Sequence, residues 1–267
     1  MIKELMVIVP VHEYNETVNG YLEKALLSVE ANRENTETNL VTTVVGPEDV
    51  IKEINDSMGD VKATFNTFIN SGSTDFCSQV NSVVYDKKPE YFSILEFDDT
   101  YSSKWFKMVN DYYYTNEDVS LFLPINTQHN VLDDSYRFEN ELIWASSFSN
   151  EMGYIDNECL QTYTAFNITG GVFNGEDFIS IGGFKPSMSV SATYEFLLRL
   201  TGKGLKVFVV PKEGYIHTVL RENSLLSNYL EMQDADIDKW FRLAKRESKY
   251  TEDRNMSIDT IVDENVK

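Results

Sequence analysis

Three acidic residues, Glu96, Asp98 and Asp99, stand together near the middle of the chain, at the end of a predicted strand over residues 91–97. In open α/β sheets, ligands bind beyond the carboxyl ends of the strands. Carboxylates this close repel one another unless a cation neutralises them, and a divalent ion on carboxylate oxygens can also hold a diphosphate. The segment predicts a metal–diphosphate site with Asp98 as its leading ligand. The alternative is a solvated acidic turn that caps the next helix.

Short apolar runs alternate with helix-spaced segments through the first half of the chain. Strands are predicted at residues 5–11, 40–45, 63–69, 91–97 and 119–125, and helices at residues 17–32, 48–58, 75–85 and around 105–109. This alternation implies βαβ units with right-handed crossovers. We therefore predict an α/β fold: one Rossmann-like domain whose mostly parallel central sheet is flanked by helices.

The second half of the chain is less regular and carries a C-terminal helical extension. Helices are predicted at residues 138–147, 193–201 and 234–249, and strands at residues 164–172, 206–210 and 215–217. We predict a main domain over residues 1–222, helices packed on it over residues 223–250, and a mobile tail over residues 251–267.

Composition and charge disfavour several classes of partner. The 267 residues suit one large α/β domain, and the formal net charge of -20 disfavours phosphate backbones and anionic lipid. A basic strip could contact nucleic acid, although a solvated helix face explains it better; it comprises Lys239, Arg242, Lys245 and Arg246. The two cysteines lack metal-ligand spacing, and no segment suits a signal peptide or a membrane span. We expect a soluble, cytoplasmic protein without a membrane partner.

Several motifs together resemble the family-two glycosyltransferases, which have the GT-A fold. The motifs are residues 10–13 (PVHE), the strand into residues 96–99 (EFDD), residues 182–184 (GGF), and residues 195–200 (EFLLRL) followed by Gly204 and His217. Their order and approximate spacing match the family over roughly residues 5–220. Each motif is weak alone, whereas the ordered combination is fairly specific.

The resemblance implies a nucleotide-sugar site. Pro10, Val11 and Glu13 would line the nucleotide pocket, and Glu96 and Asp98 would occupy the acidic positions of the D-x-D metal motif. His217 matches a late histidine that lies near the metal and diphosphate in relatives. Turns bordering donor and acceptor would form at residues 170–171 and 182–183. Carboxylate and imidazole ligands suit Mn²⁺, and carboxylates also suit Mg²⁺.

The chain departs from the family at three positions. Glu96 stands where aspartate is usual, and residues 46–49 (GPED) replace an acidic pair after the second strand. Thr193 stands at the position of the catalytic-base aspartate. Glu195 is the nearby carboxylate that could serve as base; the alternative is an ion pair with Arg199 at i+4.

These features predict a metal-dependent glycosyltransferase. It would transfer a sugar from a nucleotide-sugar donor, most simply a UDP-sugar, to a hydroxyl acceptor on a saccharide, protein or modified base, with inversion. The cofactor would be Mn²⁺ or Mg²⁺. A catalytically weakened, glycosyltransferase-like binding or structural protein is the alternative. A nucleotidyltransferase is disfavoured because no glycine-rich loop with Arg or Lys follows the first strand.

Overall fold

The computed structural model describes residues 1–59, 61–146, 148, 151–219 and 236–252. The strands are Glu4–Pro10 (β1), Asn39–Gly46 (β2), Asn66–Ile69 (β3), Tyr91–Ile94 (β4), Thr100–Tyr101 (β5), Val119–Asn130 (β6), Ser135–Glu139 (β7), Tyr154–Ile155 (β8), Val172–Asn174 (β9) and Lys206–Val219 (β10). The α-helices are Glu16–Arg33 (α1), Glu48–Ser57 (α2), Phe76–Lys87 (α3), Trp105–Tyr113 (α4), Asn157–Thr162 (α5), Gly175–Ser180 (α6), Ala192–Gly202 (α7) and Ile237–Glu252 (α8). Two 3-10 helices lie at Glu141–Trp144 and Pro186–Ser191.

Side-chain caps mark the beginnings of α1 and α3. The Asn15 side chain accepts a hydrogen bond from the Val18 N–H at 3.0 Å, which starts α1. Asp75 caps α3 in the same way through the Ser78 N–H at 2.9 Å. Each cap satisfies a backbone donor that the first helical turn leaves unpaired.

The strands form one sheet in the order β3-β2-β1-β4-β9-β6-β10-β5, with β7 on β6 and β8 on β10. Strands β1 to β4 pair in parallel, as do β6 and β10, whereas β9 runs antiparallel between β4 and β6. The predicted α/β architecture, a mostly parallel central sheet flanked by helices, is confirmed. The register pairs Ile8 with Ile94, so the carboxyl ends of β1 and β4 lie side by side.

Apolar residues cover both faces of the sheet and form two buried clusters. One cluster packs α1, α2 and α4 on one face, through residues such as Leu22, Ile54 and Trp105. The other packs α3, α6 and α7 on the opposite face, through residues such as Val80 and Phe196. With helices on both faces, the carboxyl edge of the central strands is where polar side chains can gather.

The second half corrects several predictions. The predicted helix over residues 138–147 is wrong: the chain forms the end of β7 and a 3-10 helix there. Residues 164–172 were predicted as a strand, but β9 begins only at Val172. The two short strands predicted at residues 206–210 and 215–217 are one strand, β10, with register shifts between Val209 and Tyr215. Pairing with β6 along its whole length joins the two segments.

The C-terminal helix α8 packs on α7. The Phe241 ring lies 5.2 Å from the Tyr194 ring, and Ala244 is fully buried. Residues 220–235 and 253–267 lie outside the described residues, so the division at residue 222 and the mobile tail remain predictions. Within the described ranges, no helix combines the length and apolarity needed to cross a bilayer.

Candidate active site

The three acidic residues predicted as a metal site gather at the carboxyl end of β4. The Leu95 N–H donates to the Ile8 carbonyl at 3.0 Å, after which the chain leaves the sheet and turns. Glu96, Asp98 and Asp99 each offer one carboxylate oxygen, and these oxygens lie within 4.8 Å of one another. Hard oxygen ligands at this spacing are a donor set that fits Mg²⁺ or Mn²⁺.

Asp99 is the buried member of this carboxylate cluster, with 1% of its surface exposed. Its Oδ1 accepts the Thr218 N–H at 2.7 Å, whereas its buried Oδ2 has no hydrogen-bond partner among the described residues. Burial raises the pKa of Asp99 well above its usual value; the nearby His217 opposes this, and the charges of Glu96 and Asp98 add to it. A buried carboxylate oxygen lacking a partner, beside two more carboxylates, fits a bound cation.

Strand β10 holds the acidic turn from the other side. The Tyr215 hydroxyl accepts the Glu96 N–H at 3.0 Å, and the Thr218 N–H binds Asp99 three residues further along. Tyr215 is itself buried against Gly170, at which a Cβ would lie 2.4 Å from the tyrosine ring. The turn after β4 is therefore anchored at two points to β10, 119 positions later in the sequence.

His217 lies on β10 between those two anchors. Its Nδ1 is 3.2 Å from Glu139 Oε2, and the Asn167 amide donates to the same oxygen at 2.9 Å. Burial alone would lower the pKa of His217, but the Glu139 hydrogen bond and the charges of Asp99, Glu139 and Glu96 raise it to about 9. The pKa of Glu139 is lowered: burial raises it, but the bonds to His217 and Asn167 outweigh that effect.

The residues predicted to line the nucleotide pocket lie beside the carboxylate cluster. Pro10 ends β1 and is buried, as is Val11, whose N–H donates to the Val45 carbonyl at 2.8 Å. Glu13 is partly exposed. The ring centre of the neighbouring His12 lies 5.6 Å from that of Phe97 in the acidic turn. The tip of β1 and the acidic turn therefore border one region, to which Glu13 contributes a side chain with solvent access.

Glu195, predicted as the base, is buried in an ion pair with Arg199, which is the alternative that its sequence spacing allowed. Arg199 binds it with two hydrogen bonds, of 2.9 and 2.8 Å, and Lys185 Nζ lies 3.1 Å from Oε1. The carboxylate is fully buried, and Arg199 also donates to the carbonyls of Ile181 and Gly183. A general base must reach the hydroxyl that it deprotonates. The observed geometry argues against Glu195 as that base and for an ion pair that supports the fold.

The structure also brings in residues that the sequence did not mark. Asp99 was visible as one of three acids, but its burial was not. Tyr215, Asn167 and Glu139 gave no signal, and Glu139 fell inside a segment predicted as helix. Their shared property is contact across more than 25 positions of sequence, which no local pattern reveals.

Known structures with this architecture include several of S. aureus TarS. The complex of TarS 1-349 with UDP-GlcNAc aligns with a TM-score of 0.62 and 13% identity, over 96% of this chain and 68% of that one. TarS 1-349 without a named ligand gives 0.57 and 14%, over 80% of this chain and 60% of that one. A longer TarS structure gives 0.57 and 14%, over 96% of this chain and 44% of that one. The chain thus spans less than two thirds of the length of the latter two.

This likeness shows that the chain shares the fold of the TarS structures. No protein-family model matches the sequence, and no curated protein matches it either.

Proposed function

We propose that the chain is a metal-dependent glycosyltransferase that moves a sugar from a nucleotide-sugar donor, a UDP-sugar, to a hydroxyl acceptor with inversion. The observation that carries the proposal is the carboxylate cluster, with the orphaned Asp99 oxygen, at the carboxyl edge of a sheet whose fold aligns with a UDP-GlcNAc complex. A cation bound there would act as a Lewis acid that stabilises the charge on the departing diphosphate.

Residues at the carboxyl edge of the sheet would bind the metal and the nucleotide. Glu96, Asp98 and Asp99 would hold Mn²⁺ or Mg²⁺, with Asp98 as the leading ligand and His217 as an additional one. Pro10, Val11 and Glu13 would border the nucleotide; because Pro10 and Val11 are buried, their part is to shape the backbone at the tip of β1. Tyr215 would keep the acidic turn in place through the Glu96 N–H.

The proposal is tested by calorimetry of UDP binding. We expect wild-type protein to bind UDP with Mn²⁺ and far more weakly in EDTA, and Asp98→Asn to lose the metal-dependent heat. Asp111→Asn, an exposed aspartate on α4, is the matched control and should bind as wild type does. Absence of metal-dependent UDP binding in folded wild-type protein would contradict the proposal.

A second function, nucleotide-sugar binding without turnover, is favoured by the state of the base position. Thr193 has no carboxylate, and the nearby Glu195 is fully buried in its ion pair. Release of UDP from a panel of UDP-sugars, with and without acceptor alcohols, separates the two functions. Turnover supports the transferase, whereas metal-dependent binding with no turnover across the panel supports the binding protein.

A further inference from the structure

Glu139 ends β7 and is surrounded by hydrogen-bond donors. Its Oε1 accepts from the Gln128 amide at 3.0 Å, and its Oε2 accepts from the Asn167 amide at 2.9 Å and lies 3.2 Å from His217 Nδ1. The other residues of β7 are exposed, whereas the Glu139 side chain is only 14% exposed. A carboxylate buried to this degree at the end of an exposed strand needs the three donors, and one of them is the site histidine.

The contacts around His217 show that its Nδ1 carries a hydrogen. Nδ1 lies 3.1 Å from the Asn167 amide nitrogen and 3.2 Å from Glu139 Oε2. An ionised carboxylate only accepts hydrogen bonds, so a lone pair on Nδ1 would face a lone pair on Oε2. Nδ1 therefore carries a hydrogen, which it donates to Glu139, and the Asn167 amide donates to the carboxylate as well. Nε2 is therefore the ring nitrogen that can bind another group.

The position of His217 on β10 indicates which group its Nε2 can meet. The next residue, Thr218, donates its N–H to Asp99, and the charges of Asp99 and Glu96 act on the imidazole. His217 is therefore adjacent in the strand to the residue that holds Asp99, while its Nδ1 faces Glu139. Histidines that bind metals usually donate their second ring N–H to a carboxylate or carbonyl, which fixes the orientation of the ring.

We propose that Glu139 is a positioning residue, whose bond to Nδ1–H holds the His217 imidazole so that Nε2 is offered to the cation held by the carboxylate cluster. The inference rests on the proposed function, because it assumes a metal at that cluster. Asn167 and Gln128 hold the Glu139 carboxylate in turn, so the chain of contacts runs from β6 and the residue 167 loop to the site.

The first test measures Mn²⁺ affinity from the electron paramagnetic resonance signal of free Mn²⁺. Glu139→Gln should weaken binding by about 10–100-fold, the usual effect of losing a residue that orients a ligand. Glu141→Gln removes the same charge from an exposed residue two positions away and should leave the affinity unchanged. Equal affinities of Glu139→Gln and wild type would overturn the proposal.

A double-mutant cycle separates positioning from a general effect of charge. If Glu139 acts through His217, Glu139→Gln should cause no further loss of Mn²⁺ affinity in a His217→Gln background. If the two losses simply multiply, Glu139 acts on the cluster independently of His217 and the proposal is overturned. Thermal unfolding of each variant identifies losses that come from misfolding.

A second readout needs no metal and stays informative if the proposed function fails. The chain has three histidines, so comparison with His217→Gln assigns the His217 imidazole N–H signals in proton NMR. We expect an exchange-protected Nδ1–H in metal-free wild type and in Glu141→Gln, and its loss in Glu139→Leu. If wild-type protein shows this signal but binds no Mn²⁺, the result contradicts the proposed metal site and still supports the hydrogen bond between Glu139 and His217. A signal that survives in folded Glu139→Leu overturns the positioning role.

Discussion

Glu195 and Arg199 form an ion pair one helical turn apart, closed off from solvent on α7. Removing one partner of a buried pair leaves the other charge without compensation, which typically costs about 3–5 kcal/mol. We therefore expect Glu195→Gln to lower the free energy of unfolding by an amount of this order, because Arg199 and Lys185 both lose their carboxylate. Urea unfolding followed by circular dichroism measures the change.

The same variant separates the two roles weighed for Glu195. A supporting ion pair predicts that the folded fraction of Glu195→Gln still binds UDP with Mn²⁺. Glu176→Gln, an exposed glutamate on α6, is the control and should leave stability near wild type. Full stability of Glu195→Gln combined with complete loss of turnover would restore the residue as the base.

At the same scale, Asp98 and Asp99 show what one sequence can and cannot reveal. The acidic turn was predictable because its residues follow an apolar strand. The difference between the two aspartates was not, since Asp99 is buried by a contact with Thr218, 119 positions away. The surroundings of Glu195 were also predictable only in part. Its i+4 spacing to Arg199 indicated an ion pair, but Lys185 and the Gly183 carbonyl, which complete the burial of the pair, come from a separate turn.

Among the elements, β10 carries the contacts that shape the site, and Gly170 packs directly against it. Gly170 has φ of +75° and is fixed on both sides, by its N–H to the Ile94 carbonyl at 2.9 Å and its carbonyl to Trp105 Nε1 at 2.8 Å. A Cβ there would meet the Tyr215 ring at 2.4 Å. We expect Gly170→Ala to displace Tyr215, lower stability by about 1–3 kcal/mol, and weaken Mn²⁺ binding through the Glu96 contact.

Gly182 provides the matched control for that substitution. Its φ is +90°, but a Cβ at this position would meet nothing within 4 Å. Gly182→Ala should therefore show backbone strain alone, on the order of 1 kcal/mol, and unchanged Mn²⁺ affinity. Thermal unfolding and Mn²⁺ titration of both variants check the pair; equal Mn²⁺ affinities for the two would show that Tyr215 does not support the acidic turn.

The elements that could be predicted are those whose local sequence shows a clear pattern of apolar residues. The strands β1 and β2 and the helices α1 to α3 followed from apolar runs and helical spacing. β7 did not, because four of its five residues are exposed and the strand gains its order from pairing with β6. The error at residues 164–172 has a different cause: the apolar residues Phe166 and Ile168 fill the core from a loop that does not pair in the sheet.

Over the whole molecule, the net charge of -20 sets a background of self-repulsion that any salt reduces by screening. The carboxylate cluster adds a local repulsion that a bound cation removes. We therefore expect both NaCl and MgCl₂ to raise the melting temperature, and MgCl₂ to raise it further at equal ionic strength because binding to the native state adds stability by mass action. In Asp98→Asn the excess from MgCl₂ should vanish while the NaCl effect remains, and in Asp111→Asn both should persist. Melting curves of the three proteins at matched ionic strength measure the difference. An Mg²⁺ excess of the same size in Asp98→Asn would mean that the divalent ion acts on the diffuse surface charge and that the acidic turn holds no cation.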